Sequence, residues 1–377
     1  MLDKIRHLLK TKILLFLVPI IIFFSLGWGY IGHSIINYNT ILTALPEMDF
    51  FEFWADSLAA HGSDADDRKS IDPDEGPKHY IDIDNYPEFI ATGTIPQNFD
   101  SIVALHGYSF VIEQGILPWA ILNTADSLQA AFENNNLHKA MLLAADLGHY
   151  IADAHMPLHI TRNYNGQYTD QYGVHSRYES GLIQRVQDQI IYSGDSLLYI
   201  DNLPDYIFNM IYDNYLYVDS VLAADAAAKA FAGNTNSTAY YNKFWELSKN
   251  FTIELFKKAS YRLTCVIYTA WINGGGSSTG ISENNNSLLS DFNLFQNYPN
   301  PFNPTTTTIK FALPVKTNLI IAVYNLLGEK LAEVFNGELS EGYHEVEFNA
   351  VNIPSGVYFY RIESEQFIAV KKMVLLR

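Results

Sequence analysis

Thiols are almost absent from this chain: among its 377 residues only Cys265 is a cysteine. No intrachain disulfide can form, so an exported fold built on this sequence needs other staples. Cys265 sits in the apolar run Leu263 to Tyr268 and reads as a packed core thiol rather than a reactive one. Basic residues are also scarce, 24 against 41 acidic ones, for a net charge of −17. Such a surface repels nucleic-acid backbones at long range and argues against a sequence-independent duplex binder. Several bound divalent cations would reverse the sign locally, so a single-stranded or nucleotide substrate stays open. Uninterrupted apolar sequence is confined to Ile13 to Phe24, short of the roughly 20 residues that a membrane span requires.

That apolar stretch follows Lys4, Arg6, Lys10 and Lys12 and precedes the small residues around Ser25-Leu26-Gly27. Residues 1–27 therefore read as a secretory signal, with cleavage after Gly27 making Trp28 the new N-terminus. The remaining composition, 48% hydrophobic and 17% charged over the whole chain, suits two folded domains. From residue 28 to 272 apolar residues recur at three and four spacing. Helices are expected over Ser127–Glu133, Leu137–Ala154, Ser180–Tyr192, Leu216–Phe231 and Tyr240–Trp271. Asn136 can cap the second of these, with Ala140, Leu143 and Ala144 facing the core. A Gly/Ser/Asn-rich tether follows over 273–292. Beyond it, residues 293–377 alternate in short β-branched and aromatic runs separated by turns, which predicts a small all-β sandwich of Ig-like type.

The chemistry concentrates between Leu147 and Glu179. His149 and Asp153 are four residues apart, as are His175 and Glu179, so each pair can share one helical face. Pro157 restricts Met156 to extended backbone, which should end the first helix and let His159 fold back on its last turn. Imidazole and carboxylate are the ligands zinc accepts outside thiolate sites. One such pair alone is more often a surface hydrogen bond; two pairs around a proline turn predict a metal site. His138 reads as a surface histidine and His155 as a surface residue or a neighbour of the ligands.

Three blocks carry a resemblance: Trp28-Gly-Tyr-Ile-Gly-His33; His61-Gly-Ser-Asp-Ala-Asp-Asp-Arg-Lys69 leading to Lys78-His-Tyr-Ile-Asp-Ile-Asp84; and the run from Leu147 to Glu179. Together they resemble the zinc-dependent phospholipase C and S1/P1 nuclease superfamily, which implies an all-α multi-helix metalloenzyme domain holding three zinc ions. The resemblance carries over as metal positions Trp28, His33, Asp66, His79, His149, Asp153, His159, His175 and Glu179. It groups Asp66, His79, His149 and Asp153 on one ion and His159, His175 and Glu179 on another. Trp28, through its α-amine and carbonyl, would join His33 and Asp153 on the third. Asp64 is chemically equivalent to Asp66 at this stage. By the same resemblance Asp153 bridges two ions, Asp66 orients or deprotonates the attacking water, and Arg68 or Lys69 neutralises phosphoryl charge.

Glu179, and the lack of a Trp-Ala-Asp block, resemble the phospholipase C branch; Trp28-Gly-x-x-Gly-His33 is shared with the nucleases. The expectation is a secreted zinc-dependent phosphoesterase acting on a phospholipid headgroup or another phosphodiester, with transient membrane-surface contact. The alternatives are a single-strand nuclease or 3'-nucleotidase acting on nucleic acid, and a non-catalytic metal-binding protein. In the tail, Asn297-Tyr-Pro-Asn-Pro-Phe-Asn-Pro-Thr, Val323-Tyr-Asn-Leu-Leu-Gly328, Gly356-Val-Tyr-Phe-Tyr-Arg361 and the basic Lys371-Lys372 resemble the type A sorting domain of the type IX secretion system. That resemblance implies contact with the type IX machinery and a secreted or cell-surface location.

Overall fold

The computed structural model describes residues 28–43, 48, 51–276, 292–295, 297, 300–303, 306–351 and 353–376. The expected signal segment 1–27 and most of the expected tether lie outside these residues. Helices fill the first domain, and its core is formed around two of them. Leu137–Ala154 is capped at its start, where the Asn136 side chain accepts from Lys139 N. Leu147 to Ala154 is buried on all sides, as expected for a helix whose apolar character runs around its whole circumference. It stops where expected, with Met156 extended ahead of Pro157, and a short 3-10 turn then carries His159. The other long helix, Thr238–Asn273, begins at Ser237, whose side chain accepts from Tyr240 N, and buries Cys265 with Leu263, Val266 and Ile267.

Helix Trp28–Tyr38 lies against both. Its approach to Leu137–Ala154 depends on Gly148, where an added Cβ would stand 1.9 Å from Asn37 Oδ1. Asn37 Nδ2 donates to Leu58 O at 2.9 Å and to Ala145 O at 3.2 Å, fastening the two helices and the segment before Gly62. The glycine is thus what allows backbone and side chain to meet here.

Several expectations are corrected. The helix expected over Ser127–Glu133 begins ten residues earlier, as Leu117–Glu133, because Pro118 occupies its first turn, where no amide donor is needed. The helix expected over Ser180–Tyr192 is instead a π-helical turn, Arg177–Leu182, followed by a single α turn, Ile183–Val186, and a 3-10 turn to Gln189. Helix Leu203–Tyr215, capped by Asn202, was not anticipated; Pro204 in its first turn masked the pattern. Among the described residues no helix is long and apolar enough to cross a membrane.

Among the described residues the second domain contains seven strands: β1 Asn293–Leu294, β2 Thr306–Leu313, β3 Thr317–Tyr324, β4 Lys330–Leu339, β5 Gly342–Asn349, β6 Gly356–Ser364 and β7 Ile368–Leu375. They form two antiparallel sheets, ordered β1-β2-β5 and β4-β3-β6-β7. Alternate residues of both sheets enter one core, among them Ile309, Phe311, Leu319, Ile321, Tyr360 and Ile362. Tyr343 on β5 stacks on Phe53 of the helical domain with ring centroids 4.2 Å apart.

Candidate metal centre

Three groups of ligand atoms converge among the described residues: His33, His149 and Asp153; Asp66, His79 and His149; and His159, His175 and Glu179, each group within 4.8 Å. The elements that bring them together are short and irregular except for Leu137–Ala154. That helix supplies His149 and Asp153 from one face, with Nε2 to Oδ2 at 3.3 Å. His33 comes from Trp28–Tyr38, one turn before Asn37, and its ring stacks on His149 at 3.8 Å with a 16° tilt. Asp66 lies in the short helix Asp64–Arg68 and His79 ends a 3-10 turn, Gly76–His79.

The spacing suits an ion. Four ligands placed tetrahedrally at 2.0–2.1 Å from zinc lie about 3.3 Å from one another. Here His79 Nδ1 is 2.9 Å from His149 Nε2 and 3.0 Å from Asp153 Oδ2, and Asp66 Oδ1 is 3.6 and 3.7 Å from the two imidazole nitrogens. His149 Nδ1 donates to Gly62 O at 2.8 Å, which turns Nε2 toward the cluster. His79 turns its Nε2 toward Glu75 Oε1, 3.5 Å away. His79 Nδ1 and His149 Nε2 thus lie at hydrogen-bond distance from each other, a spacing that either a shared proton or a metal ion satisfies.

The third group is built the same way. His159 Nδ1 donates to His79 O at 2.7 Å and His175 Nδ1 to Tyr164 O at 3.1 Å, so both rings present Nε2 to Glu179, at 3.6 and 2.5 Å. The π-helical turn keeps His175 and Glu179 aligned, a local geometry that recurs at functional sites. Behind it the buried carboxylate of Asp225 takes Arg177 through both oxygens, at 2.9 and 3.0 Å, and Gln171 Nε2 at 2.9 Å. Asp153 joins the groups, its Oδ1 lying 3.5 Å from His33 Nε2 and 3.4 Å from His159 Nδ1.

Burial dominates the electrostatics but is overridden at the carboxylates. It is the largest influence on His33 and, with the adjacent His149 charge, lowers that imidazole to about 3. Burial also opposes charge on His159, yet Asp153 and Glu179 outweigh it and raise the ring to about 9. Asp153 is pushed up by burial and drawn well below the usual carboxylate range by His159 and His149.

Eight of the nine expected ligands have a definite place. His33, Asp66, His79, His149, Asp153, His159, His175 and Glu179 all meet in the three groups. Trp28 opens its helix a little over one turn before His33, and its side chain lies outside the described residues. Between the two chemically equivalent aspartates, Asp64 pairs with His61 Nδ1 at 2.7 Å, whereas Asp66 faces His79 and His149. The structure turns Arg68 to Asp146 at 3.0 Å and to Glu75 at 3.5 Å, rather than to the ligand atoms. Lys69 Nζ instead reaches Asp66 Oδ1 at 2.7 Å. His138 is exposed; His155 is buried, its Nδ1 donating to Ile151 O at 2.7 Å, so the surface alternative for it is corrected. Glu75 and the Arg177–Asp225 pair were missed, although Glu75 and His79 have the same four-residue spacing as the ligand pairs.

Helical bundle, converging imidazoles and carboxylates, and a small antiparallel β-domain define a two-domain chain with buried histidine and aspartate clusters that could bind metal. Residues 296–376 match the family model of the secretion system C-terminal sorting domain, so the β-domain marks the chain for export through a secretion machinery, to the medium or the cell surface. The chain is similar along most of its course to the alpha-toxin of Clostridium perfringens from avian strain SWCP, with a TM-score of 0.42 and 9% identity over 93% of this chain and 98% of that one. It is also similar to the alpha toxin of Clostridium absonum, with a TM-score of 0.42 and 11% identity over 92% and 98%. At that score the likeness transfers no residue roles. No curated protein matches the chain.

Proposed function

We propose that the helical domain is a zinc-dependent phosphoesterase of phospholipase C type. The observation that carries this reading is the convergence of eight nitrogen- and oxygen-bearing side chains, Asp153 among them and no thiol, in three neighbouring groups. Closed structural zinc sites favour cysteine and four protein ligands; two of the three ions would have only three protein residues each, which leaves a position for water or substrate. Asp66, His79, His149 and Asp153 would hold one ion, His159, His175 and Glu179 a second, and Trp28, His33 and Asp153 a third. Bound zinc would supply an acidified water and a grip on the phosphoryl oxygens.

The residues of the chain divide the remaining tasks. Asp153, buried beneath the cluster, spans the groups and keeps them at fixed separation. Asp66 is the most exposed of the three cluster carboxylates, 33% against 14% for Glu179 and 2% for Asp153, so it is the one placed to accept a proton from an incoming water. Lys69, paired with Asp66, takes the charge-neutralising role ahead of Arg68. The net charge of −17 favours a zwitterionic phospholipid over a polyanion.

A second reading, a single-strand nuclease or 3'-nucleotidase, is favoured by one feature. Tyr164, Tyr168 and Tyr172, exposed by 49, 70 and 77%, project from the loop between His159 and His175, and exposed rings can stack on bases. Assays of the secreted protein on phosphatidylcholine, a 3'-nucleotide and single-stranded DNA, with and without chelator, separate the two. Hydrolysis of phosphatidylcholine that chelation abolishes is the expected result. Activity on nucleic acid alone overturns the phospholipase reading, and full activity after chelation overturns the metal mechanism.

A further inference from the structure

Three of the cluster histidines brace their outer nitrogen on a backbone carbonyl: His149 on Gly62, His159 on His79 and His175 on Tyr164. His79 differs. Its Nε2 is buried without a hydrogen-bond partner and points at Glu75 Oε1, 3.5 Å away. Glu75 is itself only 1% exposed and is gripped from three other directions. Lys78 Nζ lies 2.8 Å from Oε2, Arg68 NH2 3.5 Å from Oε1, and the Tyr150 hydroxyl donates to Oε1. Arg68 is in turn anchored by Asp146 at 3.0 Å.

A buried carboxylate is costly unless paired, and this one is paired with two cations and a hydroxyl. Two cations and a hydroxyl fix its position on the side of His79 opposite Asp66 and Asp153. A carboxylate behind a ligand imidazole fixes the ring's tautomer and makes its inner nitrogen a stronger donor to metal.

We propose that Glu75 is a positioning residue that holds His79 with Nδ1 toward the cluster and tightens the ion shared by Asp66, His79, His149 and Asp153. This role rests on the metal-centre reading above. Arg68, Lys78 and Tyr150 act through it by fixing the carboxylate. Glu75 does not touch substrate, and its effect is confined to one of the three ions.

The test is zinc retention by the full-length secreted chain, titrated with a chelator and followed by metal analysis. The Glu75→Gln variant keeps the side chain's shape and removes its charge. It is expected to release one ion at about 10- to 100-fold lower chelator concentration while the others are held as in the wild type. If all ions are held as tightly as before, or all loosen together, the positioning role is overturned. Should Glu75→Gln fail to fold, Tyr150→Phe, which removes one donor to the carboxylate, is expected to weaken the same single ion by a smaller factor; unchanged retention overturns the proposal. A wild-type chain that takes up no zinc overturns the metal centre itself and this role with it, whereas unchanged retention in the variants overturns this role alone.

Discussion

His79 Nδ1 and His149 Nε2 face each other across 2.9 Å, with Asp153 Oδ2 about equally close to both, at 3.0 and 3.3 Å. His149 cannot turn its ring over without losing the bond from Nδ1 to Gly62 O. Zinc in this position should therefore stabilise the fold as well as serve chemistry. Chelation is expected to lower the thermal unfolding midpoint, and readdition of zinc to restore it. An ion present at a thousand times its dissociation constant contributes about 4 kcal/mol. Differential scanning calorimetry checks this, and a midpoint indifferent to chelator contradicts it.

Asp153→Asn should be the most damaging single change in the cluster. The carboxylate approaches His33, His79, His149 and His159 within 3.0 to 3.5 Å, so its charge serves more than one group. An amide keeps the shape but cannot balance two cations. Loss of more than one zinc per chain and a fall in hydrolysis beyond about 100-fold are expected. Metal stoichiometry and turnover measured on the same preparation decide it.

Gly148→Ala tests how the two helices are set. The added methyl would begin 1.9 Å from Asn37 Oδ1 and 2.8 Å from Leu263 Cδ2. Overpacking of this kind costs about 1 to 3 kcal/mol. His33 and His149, on either side of that contact, should separate as well. Urea denaturation should therefore register a loss of stability, and zinc binding a parallel loss; a variant as stable as the wild type counts against this account of the helix contact.

Asp56 gives a pH signature independent of the cluster. It is buried, its Oδ1 has no partner, and burial raises it to about 6 against the opposing pull of Lys310. The folded chain then binds this proton more tightly than the unfolded chain, whose carboxyl titrates near 3.8. Stability from this group is complete below about pH 4 and is lost as pH rises through about 6. Asp56→Asn should flatten that part of the profile and raise stability at neutral pH. Denaturation midpoints of both proteins from pH 4 to 8 provide the comparison.

Periodic patterns were legible in the sequence wherever one physical signal dominated. Leu137–Ala154 has a cap, an apolar repeat and a proline stop, and the structure bounds it at the same residues. In the tail, β5 and β6 are two of the short alternating runs expected there, where Gly at the turn and β-branched or aromatic alternation agree. Ser180–Tyr192 misled because its apolar spacing fits a helix, while the chain there runs through a π-helical turn, Arg177–Leu182, a single α turn and a 3-10 turn.

The candidate site was legible as a list of residues and not as a set of contacts. His149 with Asp153, and His175 with Glu179, follow from spacing, since four residues along the chain bring side chains together whatever the rest of the molecule does. The choice of Asp66 over Asp64 does not, because both lie on the same short helix, and only the approach of His79 and His149 separates them.

Sequence by itself determined the local elements, the export address in the tail and the chemical types of the site, because these depend on residues close together in the chain. Tertiary structure alone decided that Gly148 admits Asn37, that His33 stacks on His149, that Asp153 joins all three groups, and that Arg68 turns away to Glu75 and Asp146. Those relations link residues up to 120 positions apart, as His33 and Asp153 are. They arise from packing and from pairing of buried charge, which no local spacing encodes.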